Sequence, residues 1–91
     1  MTIEIYLNGH VVQRSRNLRG LISRAYKIGV TKAAVFREHV GASYYVEYAD
    51  GSILRGNFCD FTVCRDFFRA RWQKWGLYAE VRDSDDMWHF I

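Results

Sequence analysis

The side chains best suited to metal binding or nucleophilic catalysis are few and widely spaced. The histidines are His10, His39 and His89, and the cysteines are Cys59 and Cys64. None of the histidines has a cysteine or a carboxylate at a recognised ligand spacing, and the cysteines lack the second pair that a zinc site needs. We therefore expect neither a metal site nor a resident cofactor.

Catalysis by a side-chain nucleophile is not predicted either. Cys64 would need a histidine beside it, which only the tertiary fold could supply. The chain contains no phosphate-binding glycine loop and no serine-nucleophile motif. Asp83, Asp85 and Asp86 cluster without the glycine-centred loop and closing glutamate of an EF-hand, so a solvated turn is the simpler interpretation. The sequence indicates a protein that is not an enzyme.

The basic residues repeat at helical spacing on two predicted helices. The two rows consist of Arg16, Arg19, Ser23 and Lys27 on the first helix and of Arg65, Arg69 and Gln73 on the second. The planar donor fork of arginine suits phosphates and acidic protein surfaces, which makes both rows candidate partner-binding surfaces. Alternatively, both are ordinary solvated helix faces, with Asp66 partly neutralising the second. As exposed charges, Arg65 and Arg69 are expected to contribute little to stability.

Three tyrosines lie close together in one predicted strand. Tyr44, Tyr45 and Tyr48 could form a stacking platform of the kind that binds single-stranded RNA. The basic-glycine-aromatic pattern of RNA-recognition motifs is missing, however, which favours cross-strand packing. Tyr45 stays a candidate contact residue for a partner.

Short strands and two helices must position these side chains. The strand Thr2–Leu7 is followed by Asn8-Gly9, a strong signal for a two-residue hairpin turn, and by a return strand His10–Gln13. That turn would pair Leu7 with His10 and Ile5 with Val12, and would place Ile3, Ile5, Leu7 and Val12 on the core face. The further predicted elements are a helix over 18–28, strands over 30–39, 44–49 and 52–58, a helix from residue 60 or 62 to 75, and a strand over 77–82.

Caps and turns set the limits of these elements. Asn17 is a plausible N-cap, and Gly29 and Gly76 are candidates for left-handed helix ends. Gly20 weakens the first helix, which would be explained by close packing on the sheet. Asp50-Gly51 predicts a second hairpin.

The element order ββαβββαβ predicts one α+β domain over residues 1–91, with a mainly antiparallel sheet and two helices on one of its faces. The two halves of the sequence resemble each other. In their hairpins, however, the apolar residues occupy opposite alternating positions of the strands, so an internal duplication stays an open alternative. The tail Met87–Ile91 is too apolar to remain solvated. It either docks at the sheet edge as a final strand, which we favour, or anchors a partner.

Composition limits the functional classes. Hydrophobic residues make up 49% and aromatic residues 16% of the 91 residues, which is enough for a core without disulfides. The net charge of +3 permits nucleic-acid binding without requiring it. Neither a signal peptide nor a membrane-spanning stretch is predicted, and Cys59 and Cys64 are not placed to pair, so a cytoplasmic location is expected.

In its general character the chain resembles the small accessory proteins of phages, in particular the anti-CRISPR proteins. The likeness lies in the single small domain opening into a hairpin over residues 3–12, the dense aromatic residues, the mixed-charge helix faces and the missing enzyme motif. It implies a stoichiometric inhibitor that occupies a host protein or ribonucleoprotein complex, such as a CRISPR effector. The basic charge departs from the acidic DNA mimics among those inhibitors, so a wedge of arginine and aromatic residues fits better.

We therefore expect a non-enzymatic binding protein that is encoded by a phage and acts in the host cytoplasm. The alternative is a small DNA- or RNA-binding protein that uses its basic helix faces. The sequence leaves the oligomeric state open.

Overall fold

Seven strands and two helices follow one another along the part of the chain that the structure, a computed structural model, describes. That part comprises residues 3–7, 10–15 and 17–91, and over residues 3–18 it is limited to the backbone. The elements are β1 (Ile3–Leu7), β2 (His10–Ser15), α1 (Asn17–Ile28), β3 (Val30–Arg37), β4 (Ala42–Tyr48), β5 (Ile53–Phe58), α2 (Phe61–Arg69), β6 (Glu80–Arg82) and β7 (Met87–Phe90).

The central element is a five-stranded sheet with the strand order β5-β4-β3-β7-β6, in which every neighbouring pair is antiparallel. The strands β1 and β2 form a separate two-stranded sheet. The predicted α+β class and antiparallel sheet are confirmed, while the order ββαβββαββ has one strand more than predicted. The two predicted hairpins, β1-β2 and β4-β5, lie in different sheets, so the halves of the chain are not built alike.

The extra strand is the apolar tail, which forms β7. Its backbone pairs with β3 on one side, where Phe90 lies opposite Ala33, and with β6 on the other, where Phe90 lies opposite Glu80. Docking of the tail is confirmed, but its expected place at the sheet edge is wrong. The short strand β6 takes the edge and encloses β7, and its ladder continues where Ala79 and Ile91 exchange backbone hydrogen bonds.

Both helices pack on one face of this sheet, as predicted. Side chains alternate between the two faces along a strand, and in β4 every second residue from Ala42 to Tyr48 is buried. The core contains Leu21 and Ala25 of α1, Phe61, Cys64, Phe67 and Phe68 of α2, and Ala33, Val35, Tyr44, Val46, Tyr48, Phe58 and Phe90 of the sheet. The hydroxyl of Tyr48 donates to the backbone oxygen of Leu21 over 3.2 Å, which ties α1 to β4.

Phe68 is the centre of the core. Its ring is fully buried and lies 5.3 Å from Tyr44, 5.4 Å from Phe67, 5.9 Å from Trp75 and 6.2 Å from Phe90, measured between ring centroids. Tilted and edge-on ring pairs at such distances stabilise a core beyond their buried area. The single side chain thus joins α2 to β4 and β7.

The second helix is shorter than predicted. It begins after Asp60, whose carboxylate accepts the backbone N–H of Val63 over 2.9 Å, and the regular helix ends at Arg69. Hydrogen-bonded turns continue the chain to Gly76, where φ is +86°. Gly76 therefore marks the end of the turns, and the predicted continuous helix to Trp75 is wrong.

The first hairpin is paired differently from the prediction. Leu7 lies opposite His10 as expected, but a register shift between Ile5 and Tyr6 places Ile5 opposite Gln13 instead of Val12. A β-bulge inserts one residue on one strand and changes the pairing beyond it. The turn residues Asn8 and Gly9 and the side chains predicted for the core face lie outside the described residues.

The predicted ends of α1 and of β3, β4 and β5 are close to the observed ones, whereas β6 begins at Glu80, three residues later than predicted. The helix begins at Asn17, the residue predicted to cap it, and ends before Gly29, whose φ is +92°. The strand β3 stops at Arg37, two residues earlier than predicted, where a turn closes with φ of +79° at Gly41. The second hairpin turns at Gly51, as predicted, with φ of +85°.

Substitution by alanine is expected to have opposite effects on stability at two of the glycines. A Cβ at Gly56 would lie 2.3 Å from Tyr44 Oη and 2.5 Å from Tyr44 Cζ, so Gly56→Ala displaces a core ring and is expected to cost about 1–3 kcal/mol. A Cβ at Gly20 would meet nothing within 4 Å, which contradicts the close packing proposed for it. Gly20→Ala is expected to add about 0.5–1 kcal/mol through helix propensity.

Urea unfolding of the two variants beside wild type measures both effects. A destabilised Gly20→Ala, or an unchanged Gly56→Ala, would contradict this description of the two sites.

Candidate binding surface

Among the side chains of residues 19–91, the largest cluster of cationic and aromatic groups lies around Trp88. Side chains alternate between the two faces of the sheet along β7, so Trp88 and Phe90 both point towards the helices. The register places Arg82 of β6 opposite Trp88. The guanidinium carbons of Arg65, Arg69 and Arg82 lie 5.4, 5.3 and 5.8 Å from the centre of the half-buried Trp88 ring. We call Trp88 and these three arginines the Trp88 surface. Each distance is within the range of a cation–π interaction.

Arg69 is fixed by Glu80 at the edge strand β6. Its Nε donates to the two carboxylate oxygens of Glu80 at 3.1 and 3.0 Å, and its Nη2 donates to one of them as well. Hydrogen bonds from Arg69 to Glu80 raise the pKa of Arg69 above its ordinary value. A charged, bidentate pair of this kind joins α2 to β6.

Arg65 is less constrained by hydrogen bonds. Its Nε is buried, makes no hydrogen bond within residues 19–91, and lies 3.5 Å from a carboxylate oxygen of Asp66. The guanidinium also lies 5.7 Å from the ring of Phe61. Arg65 is thus held mainly by the rings of Phe61 and Trp88.

The Trp88 surface continues at the end of the sheet where β3 stops. Arg37 lies over the ring of Phe61 at 4.1 Å, and its Nε lies 3.7 Å from a carboxylate oxygen of Asp86. Asp86 also accepts from Arg82 Nε over 2.6 Å. Carboxylates are therefore interspersed among the arginines, and the charge of the region is nearly balanced.

The predicted partner-binding residues lie on three different surfaces. Arg65 and Arg69 lie one turn apart on α2, as predicted, and both contact Trp88. Arg19 and Lys27 are exposed on α1 with Ser23 between them. Arg16 lies outside the described residues. The expectation of little stabilisation does not fit Arg69, because it holds Glu80, whose side chain is only 19% exposed.

Tyr45 lies on the sheet face opposite the helices, which we call the open face. Its neighbours in the strand, Tyr44 and Tyr48, are buried in the core, which confirms packing as their role. Tyr45 is half-buried, and the register places Arg55 opposite it on β5 and Ala34 opposite it on β3. The three tyrosines thus do not form one platform.

The two cysteines lie in different environments. Cys64 is fully buried, and desolvation raises the pKa of its thiol well above the ordinary value, which keeps it protonated. Cys59 is exposed, and both thiols are free. The side chains that the structure describes include no group of three potential metal ligands. None of the described helices is long and apolar enough to cross a membrane.

The residues that sequence reasoning did not place in this cluster are Trp88, Arg82 and Arg37, although Trp88 belongs to the tail considered as a partner anchor. A usable signal existed for the first two, because an antiparallel pair around the polar break 83–86 places Arg82 opposite Trp88. No local pattern pointed to Arg37, which reaches the cluster because β3 and β7 are neighbours.

The turn before β7 is organised by Asp83. Its carboxylate accepts the backbone N–H groups of Asp85 and Met87 at 2.9 and 3.0 Å and lies 2.8 Å from His89 Nε2. The hydrogen bond with His89 is the main cause that lowers the pKa of Asp83, followed by the N–H of Met87. Asp86 closes the turn with φ of +63°.

Comparisons with protein-family models, with curated proteins and with solved structures gave no match for this chain.

Removing the Arg69 side chain is expected to destabilise the protein. Arg69→Ala loses the bond between α2 and β6 and leaves Glu80 unpaired, which should lower the free energy of unfolding by about 1 kcal/mol. Arg19→Ala, an exposed change on α1, should stay within about 0.5 kcal/mol of wild type. Chemical denaturation of both variants measures the difference, and equal values would show that the bond to Glu80 does not stabilise the fold.

The Asp83 turn predicts a pH-dependent stability. Because the folded state lowers the pKa of Asp83, its contribution is complete above the unfolded pKa of about 4 and is lost as the pH falls through the folded value. Asp83→Asn should therefore be less stable than wild type at pH 7, and the difference should shrink below about pH 4. Thermal melts across this range test it, with Asp85→Asn as the control. A difference independent of pH would contradict the role given to the carboxylate.

Proposed function

We propose that this protein is a non-enzymatic binding protein that acts on a host protein or ribonucleoprotein complex, and that the Trp88 surface is its main contact. The observation that carries the proposal is the placement of three guanidinium groups around one half-buried tryptophan ring. Tryptophan and arginine are the residue types most enriched among the residues that dominate interface energies.

The arrangement of charges supports a protein partner in particular. Glu80 holds Arg69 and Asp86 holds Arg82, so these side chains lose little conformational freedom on binding. The same carboxylates cancel most of the positive charge, which weakens attraction to a uniform row of phosphates. A partner surface with its own carboxylates and rings would match the pattern better.

The proposed role is inhibition by occupancy. A protein that blocks a complex needs a rigid surface and no chemistry of its own, which fits the buried, protonated Cys64. The format resemblance to anti-CRISPR proteins supports a phage origin, action in the host cytoplasm, and a CRISPR effector as one candidate target.

The outward row of α1 favours a second candidate function, the binding of DNA or RNA. The helix contains no acidic residue, and its exposed Arg19, Ser23 and Lys27 follow one another at intervals of four residues. They lie about 6 Å apart along the axis at 1.5 Å per residue, a spacing that can follow a phosphate backbone.

Capture from a bacterial lysate with immobilised protein tests the Trp88 surface. The double variant Arg65→Ala with Arg82→Ala should bind the captured partner with roughly thirtyfold lower affinity, which corresponds to about 2 kcal/mol. Lys74→Ala, which removes an exposed cation elsewhere, should bind like wild type. The melting temperature of each variant is measured first, so that a loss of folding is recognised.

Nuclease treatment and salt separate the two candidate functions. A protein partner that is retained after nuclease and lost in the double variant supports the proposal. The alternative would be established instead by capture that disappears with nuclease and requires Arg19 and Lys27. Its log affinity should then fall with log salt concentration by a slope of about 0.9 per phosphate contact. Normal capture by the double variant would refute the role of the Trp88 surface.

A further inference from the structure

The open face contains a cleft between β3, β4 and β5. It encloses about 290 Å³ and is lined by Phe36, Ser43, Tyr44, Tyr45, Arg55, Gly56 and Asn57. Side chains alternate between the two faces along a strand, so Ser43 and Tyr45 of β4 and Arg55 and Asn57 of β5 line the cleft from this face. The cleft is thus on the side of the sheet opposite the Trp88 surface, and its volume is near the lower limit for small-ligand sites.

The charges around the cleft favour an anion. Lys32 lies 3.3 Å from Glu47, and the His89 ring lies 2.8 Å from Asp83, so each of these side chains already has a carboxylate beside it. Arg55 is exposed and pairs with no carboxylate among the side chains of residues 19–91. None of the residues that line the cleft is acidic, so it offers no carboxylate to the ammonium group of an amino acid.

The remaining lining groups suit a flat polar ring. Tyr45 and Phe36 are both half-buried and come from neighbouring strands, so their rings can flank a planar group. The amide of Asn57 both donates and accepts hydrogen bonds, as the edge of a nucleobase does. Ser43 also lines the cleft, and its buried hydroxyl oxygen makes no hydrogen bond within the described side chains.

We propose that this cleft binds a nucleotide unit, with the base between Tyr45 and Phe36 and the phosphate on Arg55. Base stacking on aromatic side chains and an arginine contact to phosphate are the two elements of single-strand binding. The unit can be a free mononucleotide or one residue of a single strand, because both present the same base and phosphate. The site is independent of the Trp88 surface and does not require the function proposed for it.

The test is an NMR titration of the ¹⁵N-labelled protein with the four ribonucleoside 5′-monophosphates, with a six-nucleotide single-stranded RNA and with benzoate. We expect nucleotide-induced amide shifts centred on Ser43, Tyr45 and Asn57. Tyr45→Ala should weaken binding roughly tenfold. Arg55→Ala should reduce the slope of log affinity against log salt concentration by about one. Lys74→Ala, an exposed cation away from the cleft, should bind nucleotide like wild type.

The outcomes separate the sources and decide the proposal. A hexamer that binds more tightly than any monophosphate at the same cleft identifies a strand, whereas equal affinities identify a free nucleotide. Absence of shifts in the cleft at millimolar nucleotide, shifts confined to α1, or equal binding of benzoate would each overturn the assignment. Mapping on the wild-type protein keeps the test valid if Tyr45→Ala does not fold.

Discussion

The pairing of β7 between β3 and β6 is the constraint on which the rest of the fold depends. Without β7, the three-residue strand β6 has no neighbour, and β3 becomes an open edge in the middle of the sheet. An unpaired interior edge exposes a row of backbone N–H and carbonyl groups, which is costly in a buried position. The ladder between β3 and β7 joins residues more than fifty positions apart in sequence, so the sheet is completed by the last residues of the chain.

Alternation along β7 couples the core to both candidate binding faces. Phe90 stacks on Phe68 in the core, and Trp88, two residues earlier, reaches the arginines at the border of the same face. Met87 and His89 have the opposite parity and point to the open face. A shift of one residue in this ladder would exchange the two sets, removing the Phe90 ring from Phe68 and the Trp88 ring from Arg65. Register specificity is therefore a condition for binding as well as for stability.

The sequence predicted what local signals control. Asp50-Gly51, Gly29 and Gly76 mark turns and helix ends because glycine readily takes positive φ, and such signals need no knowledge of distant residues. The period of the apolar residues placed Leu21 and Ala25 on the core side of α1. The α+β class followed from these elements alone.

What the sequence did not predict depends on long-range pairing. The place of the tail inside the sheet is decided by β3, and the end of α2 at Arg69 follows from no local breaker, since Ala70 favours helix. The bulge at Ile5 likewise has no signal in composition. The arginine rows were found from their spacing, but their contact with Trp88 was not, because it requires the strand register. Residue types identified the surface in part, and only the register assembled it.

The two faces of the sheet carry different electrostatic patterns, which bears on the kind of partner. Around Trp88, Glu80 and Asp86 neutralise the arginines and fix their positions, so attraction is short-ranged and depends on shape. On the open face, Arg55 is exposed, lies opposite Tyr45 in the register and pairs with no carboxylate among the described side chains, so attraction to an anion extends further. A protein surface suits the first pattern and a nucleotide suits the second. A ribonucleoprotein supplies both chemistries in one complex, so it is the partner class in which the two faces of this small domain would act together.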